Sequence, residues 1–169
     1  MVSVRFERVE EYPRVRLVNE LAFGRTNEAD LVEALRSSAC PHISMVALMD
    51  EDVVGHIFFS PVSIESADSI SKALGLAPMS VLPEYQRRGI GSQLVREGLK
   101  ECRRIDQDIV FVLGHPEYYP RFGFLPAKHK GLRCEYEVPD EAFMVIELTQ
   151  GALSGRRGLI KYRPEFGMV

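Results

Sequence analysis

Cysteine is scarce in this chain, with three in 169 residues. Cys40, Cys102 and Cys134 lie far apart, show no Cys-x-x-Cys spacing and are odd in number, which argues against a disulfide framework and against a zinc knuckle. A reducing, cytoplasmic setting is the expectation. No unbroken apolar run approaches membrane-spanning length, and the opening residues Met1-Val2-Ser3-Val4-Arg5-Phe6-Glu7 alternate apolar with polar instead of forming the apolar stretch of a signal peptide. Nothing visible exports the chain or embeds it in a membrane. An excess of positive charge is absent too: 21 Lys and Arg stand against 24 Asp and Glu, a formal charge of -3. No global basic field recruits nucleic acid or anionic lipid, so any anion site must be local. His42, His56, His115 and His129 lack a spacing such as His-x-x-x-His, and no metal is expected. There is no Gly-x-Ser-x-Gly elbow, no Gly-Lys-Ser/Thr ending of a nucleotide-binding loop, no internal repeat and no low-complexity tract.

What remains is the composition of an ordinary globular protein, 46% hydrophobic and 27% charged, on a length that supports one core. A single domain over residues 1–169 is expected. The Gly-, Arg- and Pro-rich residues 154–169 are left open as a short extension or a mobile tail.

Val2, Val4 and Phe6 share one face of an extended segment, the pattern of a half-buried opening strand. A first helix is expected from Pro13 to Phe23 with Leu17, Val18 and Leu21 inward, stopped by Gly24. Asn27 reads as the N-cap of a second helix, with Asp30 in its first turn and Leu31, Ala34 and Leu35 buried. Ile43–Met49 and Val53–Val62 are β-rich runs around Asp50-Glu51-Asp52, which reads as a hairpin. Ser63–Lys72 reads as an exposed connection and Leu74–Leu82 as a strand, with Pro78 marking a bulge or distorted edge. Beyond Gly89 the period turns helical: Ile90, Leu94, Gly98 and Cys102 recur every fourth residue, Val95 and Leu99 flank them, and Arg96, Glu97, Lys100 and Glu101 take the wet side. Ile109–Leu113 is short and wholly apolar, a strand buried on both faces. Strand, helix and strand in that order make a βαβ unit with a parallel pair. Phe124–Leu148 should complete the sheet, with Val145, Ile146 and Leu148 anchoring its last strand.

The chemistry concentrates in Gln86-Arg87-Arg88-Gly89-Ile90-Gly91-Ser92, between a strand and an amphipathic helix. Two glycines let the backbone approach a ligand without a Cβ in the way, and the first helical amides carry the positive end of the macrodipole. Arg87 and Arg88 add two full charges. The segment suits a pyrophosphate, although a Gly-x-Gly at a helix start also serves as a packing device.

Extended backwards, Val81-Leu82-Pro83-Glu84-Tyr85-Gln86-Arg87-Arg88-Gly89-Ile90-Gly91 resembles the coenzyme A signature of the GNAT acetyltransferase superfamily: a strand, a Pro-acidic-Tyr turn, then Gln/Arg-x-x-Gly-x-Gly/Ala. A second stretch, Tyr118-Tyr119-Pro120-Arg121-Phe122-Gly123-Phe124, resembles the Tyr-x-x-x-Gly-Phe motif of the same superfamily. The resemblance implies an α/β fold (α+β in some schemes): a mixed sheet of about seven strands with splayed parallel strands, and about four helices. It implies acetyl-coenzyme A as cosubstrate and an amine as acceptor. Backbone amides from Gln86 through Arg87, Arg88, Gly89, Ile90 and Gly91 to Ser92 would hold the pyrophosphate. Met79, Ser80 and Val81 would hydrogen-bond the pantetheine arm, and Tyr119 would protonate the departing thiolate.

One feature departs from the pattern. Many relatives carry a Glu on the strand before the glycines as general base, whereas Leu74–Leu82 has no carboxylate. Glu28, His56, His115 and Glu117 are the candidates elsewhere. His56, on an alternating Gly55-His56-Ile57-Phe58 strand, reads as a packing histidine, and His115 follows the buried strand. The missing carboxylate keeps a non-catalytic coenzyme A sensor as the alternative function. Glu135, Glu137, Asp140 and Glu141 read as a solvated turn. Acceptor identity and oligomeric state carry no sequence signal.

Overall fold

The computed structural model describes Met1–Val169, the side chain of Met168 excepted. Among the described residues there are nine strands and three α-helices: β1 (Val2–Phe6), α1 (Tyr12–Phe23), α2 (Asn27–Ser37), β2 (Ile43–Met49), β3 (Asp52–Glu65), β4 (Ile70–Val81), α3 (Ile90–Arg104), β5 (Ile109–Leu113), β6 (Leu125–Pro126), β7 (Leu132–Cys134), β8 (Phe143–Glu147) and β9 (Gly158–Tyr162). The sheet is mixed. Its strands outnumber the expected seven or so, and the helices fall one short of the expected four or so. Between β5 and β8 the chain is interrupted by Pro116, Pro120, Gly123, Pro126 and Gly131, which leave room for no α-helix, only for short 3-10 turns and the short strands β6 and β7. Two compact units result: Met1–Phe59 with Ala77–Glu101 and Pro164–Val169, and Ser60–Leu76 with Cys102–Arg163.

In the first unit β1, β2 and the start of β3 are antiparallel neighbours, with Val4 opposite Ala47 and Met45 opposite Ile57. The hairpin is tighter than a three-residue turn. Met49 pairs with Asp52 across Asp50-Glu51, both left-handed at φ 50° and 74°, the backbone that matches a two-residue turn to strand twist.

α1 is rotated from its expected setting. Val15, Val18 and Asn19 are buried, while Leu17 and Leu21 are exposed. A polar contact decides the rotation: the Asn19 amide donates to Val15 O and meets His56 Nδ1 at 3.2 Å. His56 Nε2 lies 2.8 Å from Ser44 Oγ, so Asn19, His56 and Ser44 form one buried chain from α1 across β3 to β2. The N-cap of α2 is Thr26 and not Asn27, since Asp30 N donates to Thr26 O at 2.8 Å. Asp30 itself is drawn to Arg16, which also meets Glu20 and Glu33. Leu31 and Leu35 are buried as expected, and Ala34 is half-buried.

α3 follows its period closely. Ile90, Leu94, Val95 and Cys102 are buried, and a Cβ on Gly98 would stand 2.5 Å from Phe59 Cε1, so the helix needs glycine there to lie on the sheet. Gly55 serves the same packing from below: a Cβ there would stand 3.0 Å from Leu94 and 3.1 Å from Ser80 O.

In the second unit the expected parallel pair is present but short. Leu74, Gly75 and Leu76 of β4 pair with Val110, Phe111 and Val112 of β5, and β4 then continues through Pro78, which has no N–H to give a ladder. β8 joins β5 on its other side, and the stacked rings of Phe111 and Phe143, 5.5 Å apart, sit in a core with Val62, Ile64, Val145 and Ile160. Ser63–Lys72 is not a plain connection. β3 runs on to Glu65 because β9 pairs with Val62–Glu65, which also means that β8 is not the last strand.

Candidate active site

The cradle is built from β4, a turn and α3. Leu82 N donates to Val54 O at 2.9 Å, which pins the end of β4, and Pro83–Tyr85 then makes one 3-10 turn. Gln86 folds its amide back onto Val81 O at 3.0 Å. Arg87 and Gly89 are left-handed, at φ 64° and 81°, with Arg88 between them outside that region. Such alternation turns successive amides toward one side, the arrangement of an anion-binding nest. Left-handed backbone costs a non-glycine residue about 1–2 kcal/mol, so Arg87 is held there by its surroundings.

The ladder of α3 begins with Gln93 N to Gly89 O at 3.1 Å, so the amides of Ile90 and Gly91 come before it and face outward at the positive end of the helix. Gly89 is exposed, and no atom lies within 4 Å of where its Cβ would be. A ligand could occupy that space; a side chain would fill it. Arg87 and Arg88 are exposed, Arg88 lying 5.3 Å over the Tyr85 ring. On β4, Met79 is half-buried while Ser80 and Val81 are buried, and Ser80 Oγ has no hydrogen-bond partner.

Tyr119 lies in the other unit, at the head of the 3-10 turn Tyr119–Phe122 that Gly123 ends in a left-handed conformation. Its ring meets Tyr118 edge-on at 5.1 Å and Phe124 at 5.7 Å, and it is 7% exposed. Burial, with a smaller push from Tyr118, raises its phenol well above the usual value, so the hydroxyl holds its proton. Gly114, just past β5, makes room for this ring: a Cβ there would stand 2.5 Å from Tyr119 Cε2. Tyr118 carries the Arg121 guanidinium 4.4 Å over its face.

The sequence model of the GNAT acetyltransferase domain matches residues 3–127. The uncharacterised N-acetyltransferase YhbS of Escherichia coli is 35% identical over 164 residues, covering 96% of this chain and 97% of that protein. This chain belongs to the GNAT acetyltransferase family. A second E. coli relative, the uncharacterised N-acetyltransferase YjhQ, is 42% identical over 75% of this chain and 72% of its own length. Among solved structures, E. coli YhbS in complex with CoA superimposes with a TM-score of 0.92 at 34% identity, over 98% of this chain and 92% of that one. A GNAT acetyltransferase from Brucella melitensis in complex with acetyl-CoA gives 0.81 at 32%, over 98% of both chains.

This GNAT domain offers its candidate bases unequal settings. Glu28 is nearly buried and bound by Arg25 through both carboxylate oxygens. His56 has no exposed surface, both ring nitrogens are engaged, and burial, with a smaller contribution from Arg36, lowers it to about 3. It is a neutral structural histidine. His115 and Glu117 are exposed and 3.8 Å apart. Among the described residues no group of His, Cys, Asp and Glu could hold a metal ion, and no helix is long and apolar enough to cross a membrane.

Sequence reasoning passed over Gly114 and Asn19. Gly114 had a signal, a glycine ending a wholly apolar strand five residues before the motif tyrosine. Asn19 had none beyond lying four residues after Val15.

Proposed function

We propose that this chain transfers an acetyl group from acetyl-coenzyme A to a primary amine by direct attack in a ternary complex. The observation that carries the reading is the cradle: two left-handed residues, Arg87 and Gly89, leading into outward helical amides with open space over Gly89. That YhbS and the Brucella protein were crystallised with CoA and acetyl-CoA supports it. Amides from Arg87 to Ser92 hold the pyrophosphate, aided by the Arg87 and Arg88 side chains, while the Gln86 amide, counted with them from the sequence, is taken by Pro83 O at 3.3 Å; the backbone of Met79, Ser80 and Val81 aligns the pantetheine. No covalent enzyme intermediate is needed, and positioning supplies most of the acceleration.

The amine nitrogen attacks the thioester carbonyl, whose oxygen is met by a backbone N–H of Met79–Val81. The carbon–sulfur bond then breaks, the sulfur takes the Tyr119 hydroxyl proton, and the proton lost by the amine returns to Tyr119 through water. Burial keeps the donor proton on Tyr119 throughout the neutral range but makes the phenol a weaker acid than a free tyrosine, so the proton moves only as charge gathers on the departing sulfur. β4 lacks the carboxylate that would act as base, so the amine arrives neutral or loses its proton to water. That same absence favours the second reading, a coenzyme A sensor without transfer. The free cysteines fit work in the reducing cytoplasm.

Tyr119→Phe tests the acid role. It keeps the packing against Tyr118 and Phe124 and removes only the hydroxyl, so kcat should fall about 100- to 10,000-fold with coenzyme A affinity and melting temperature nearly unchanged. Tyr118→Phe should stay near the parental rate. Full kcat in Tyr119→Phe would assign the proton to water or another group.

A further inference from the structure

β7 and β9 run parallel, with Leu132 level with Gly158, Arg133 with Leu159 and Cys134 with Ile160. Gly158 N donates to Gly131 O and Glu135 N to Ile160 O, both at 3.1 Å, and β3 holds β9 on its other side. Leu132 and Ile160 turn into the core, at 1% and 0% exposed, so alternation sends Arg133 to the outer face, where it is exposed. Gly131 has no side chain, and the exposed Arg157 lays its stem across that place, Cγ 3.5 Å and Cδ 3.6 Å from where a Cβ would be. Arg133 and Arg157 are thus carried by one hydrogen-bonded ladder, two residues of rise or about 7 Å apart at their bases.

More positive charge gathers where both strands enter. Lys128 and Lys130 stand on the 3-10 turn that leads into β7, both exposed, and Arg156 precedes Arg157. Lys128 meets Asp140 at 3.6 Å, whereas among the described residues Lys130, Arg133, Arg156 and Arg157 make no ion pair. In the first unit, by contrast, Arg5, Arg16, Arg25 and Arg36 each meet a carboxylate. Like charges held side by side are unfavourable, so this end of the ladder gains from any anion that settles on it. The basic surface is also bounded: Glu135 and Glu137, both exposed, follow β7 directly.

We propose that the entry end of the β7–β9 ladder is a second anion site, which takes a compact ligand bearing two or three phosphate groups. The Arg133 and Arg157 guanidiniums supply planar pairs of donors that match phosphate oxygens, and Lys130 and Arg156 add charge around them. The spacing of the two arginines suits neighbouring phosphates of one small ligand. A long polyanion such as a nucleic acid fits less well, because beyond Arg133 it would run onto Glu135 and Glu137. All these cations but the half-buried Arg156 are exposed, so the affinity is modest and falls with salt. The site shares no residue with the Gln86–Ser92 cradle and does not depend on the acetyl-transfer reading.

Backbone amide NMR of the full chain tests this, because it separates binding here from binding at the cradle. Inorganic phosphate, pyrophosphate, tripolyphosphate and a twelve-nucleotide single strand are titrated in turn at low salt. The amides of Gly131, Arg133 and Gly158 should shift with tripolyphosphate, more weakly with phosphate, and the oligonucleotide should bind these residues no more tightly than tripolyphosphate. Arg133→Ala and Arg157→Ala should each weaken that response about two- to fivefold. Arg133→Glu/Arg157→Glu should abolish it, while the rest of the spectrum stays folded and Gly89 and Gly91 respond as in the parent. Shifts confined to the cradle, shifts at Gly131 and Gly158 that survive the double reversal, or shifts spread evenly over every exposed Lys and Arg would each overturn the proposal. So would an oligonucleotide that binds far more tightly than tripolyphosphate, which would make this end of the ladder a nucleic-acid surface.

Discussion

Lowering the pH should destabilise this protein through His56, by an amount its surroundings set. The imidazole is wholly buried, held by Asn19 and Ser44 and lowered to about 3, against 6.5 for the free group. Between those values the unfolded chain binds a proton that the folded chain does not, so the contribution is complete above about pH 6.5 and is lost as pH falls toward 3. At pH 5 the unfolded histidine is favoured by about 1.5 pH units, or about 2 kcal/mol. For a chain of this length that lowers the melting temperature by about 4–8 °C. The assay is urea unfolding of the parent and of His56→Leu at pH 7, 6 and 5. The variant starts less stable, because Ser44 and Asn19 lose their partner, but it has no proton to bind, so the gap between the two proteins should narrow by about 2 kcal/mol on acidification. Parallel pH profiles would show that His56 does not titrate as its burial requires.

Two further outcomes follow from the glycines. Gly91→Val or Gly89→Val should abolish coenzyme A binding by calorimetry while the protein stays folded, and Arg87→Ala or Arg88→Ala should weaken it less, most visibly at low salt; parental affinity in a folded Gly91→Val would remove the cradle assignment. Gly98→Ala should cost about 1–3 kcal/mol in urea unfolding, because its Cβ would stand 2.5 Å from the buried Phe59 ring, and a neutral result would mean that α3 can lift from the sheet without loss.

The elements that position the cradle were legible because several local signals agreed there. β-rich residues before Pro83, paired glycines and a four-residue apolar repeat all place a strand, a turn and α3 where they occur. α1 was misread because its leucines satisfied helical periodicity as well as the true stripe does. Only the pairing of Asn19 with His56 rotates Val15 and Val18 inward, and that contact spans 37 residues of sequence. β3 was cut short for a similar reason. Ser63–Glu65 is polar enough to read as a loop, and its strand character comes from β9, whose sequence carries Gly and Lys instead of a clean alternation. At the site, the Tyr119 motif was visible, but the space made by Gly114 was not, since a glycine's use is defined by the side chain that occupies its place.

The central claim, that this GNAT chain moves acetyl groups and does not merely bind coenzyme A, is tested most directly by incubating the protein with acetyl-coenzyme A and a panel of primary amines. Free thiol and acetylated amine are followed together. Transfer predicts thiol release above the hydrolysis background with at least one amine, matched mole for mole by the acetylated product and lost with Gly91→Val. Tight binding of acetyl-coenzyme A with thiol release no faster than hydrolysis for every amine class, peptide N-termini and lysine side chains included, would contradict the account and make the chain a sensor.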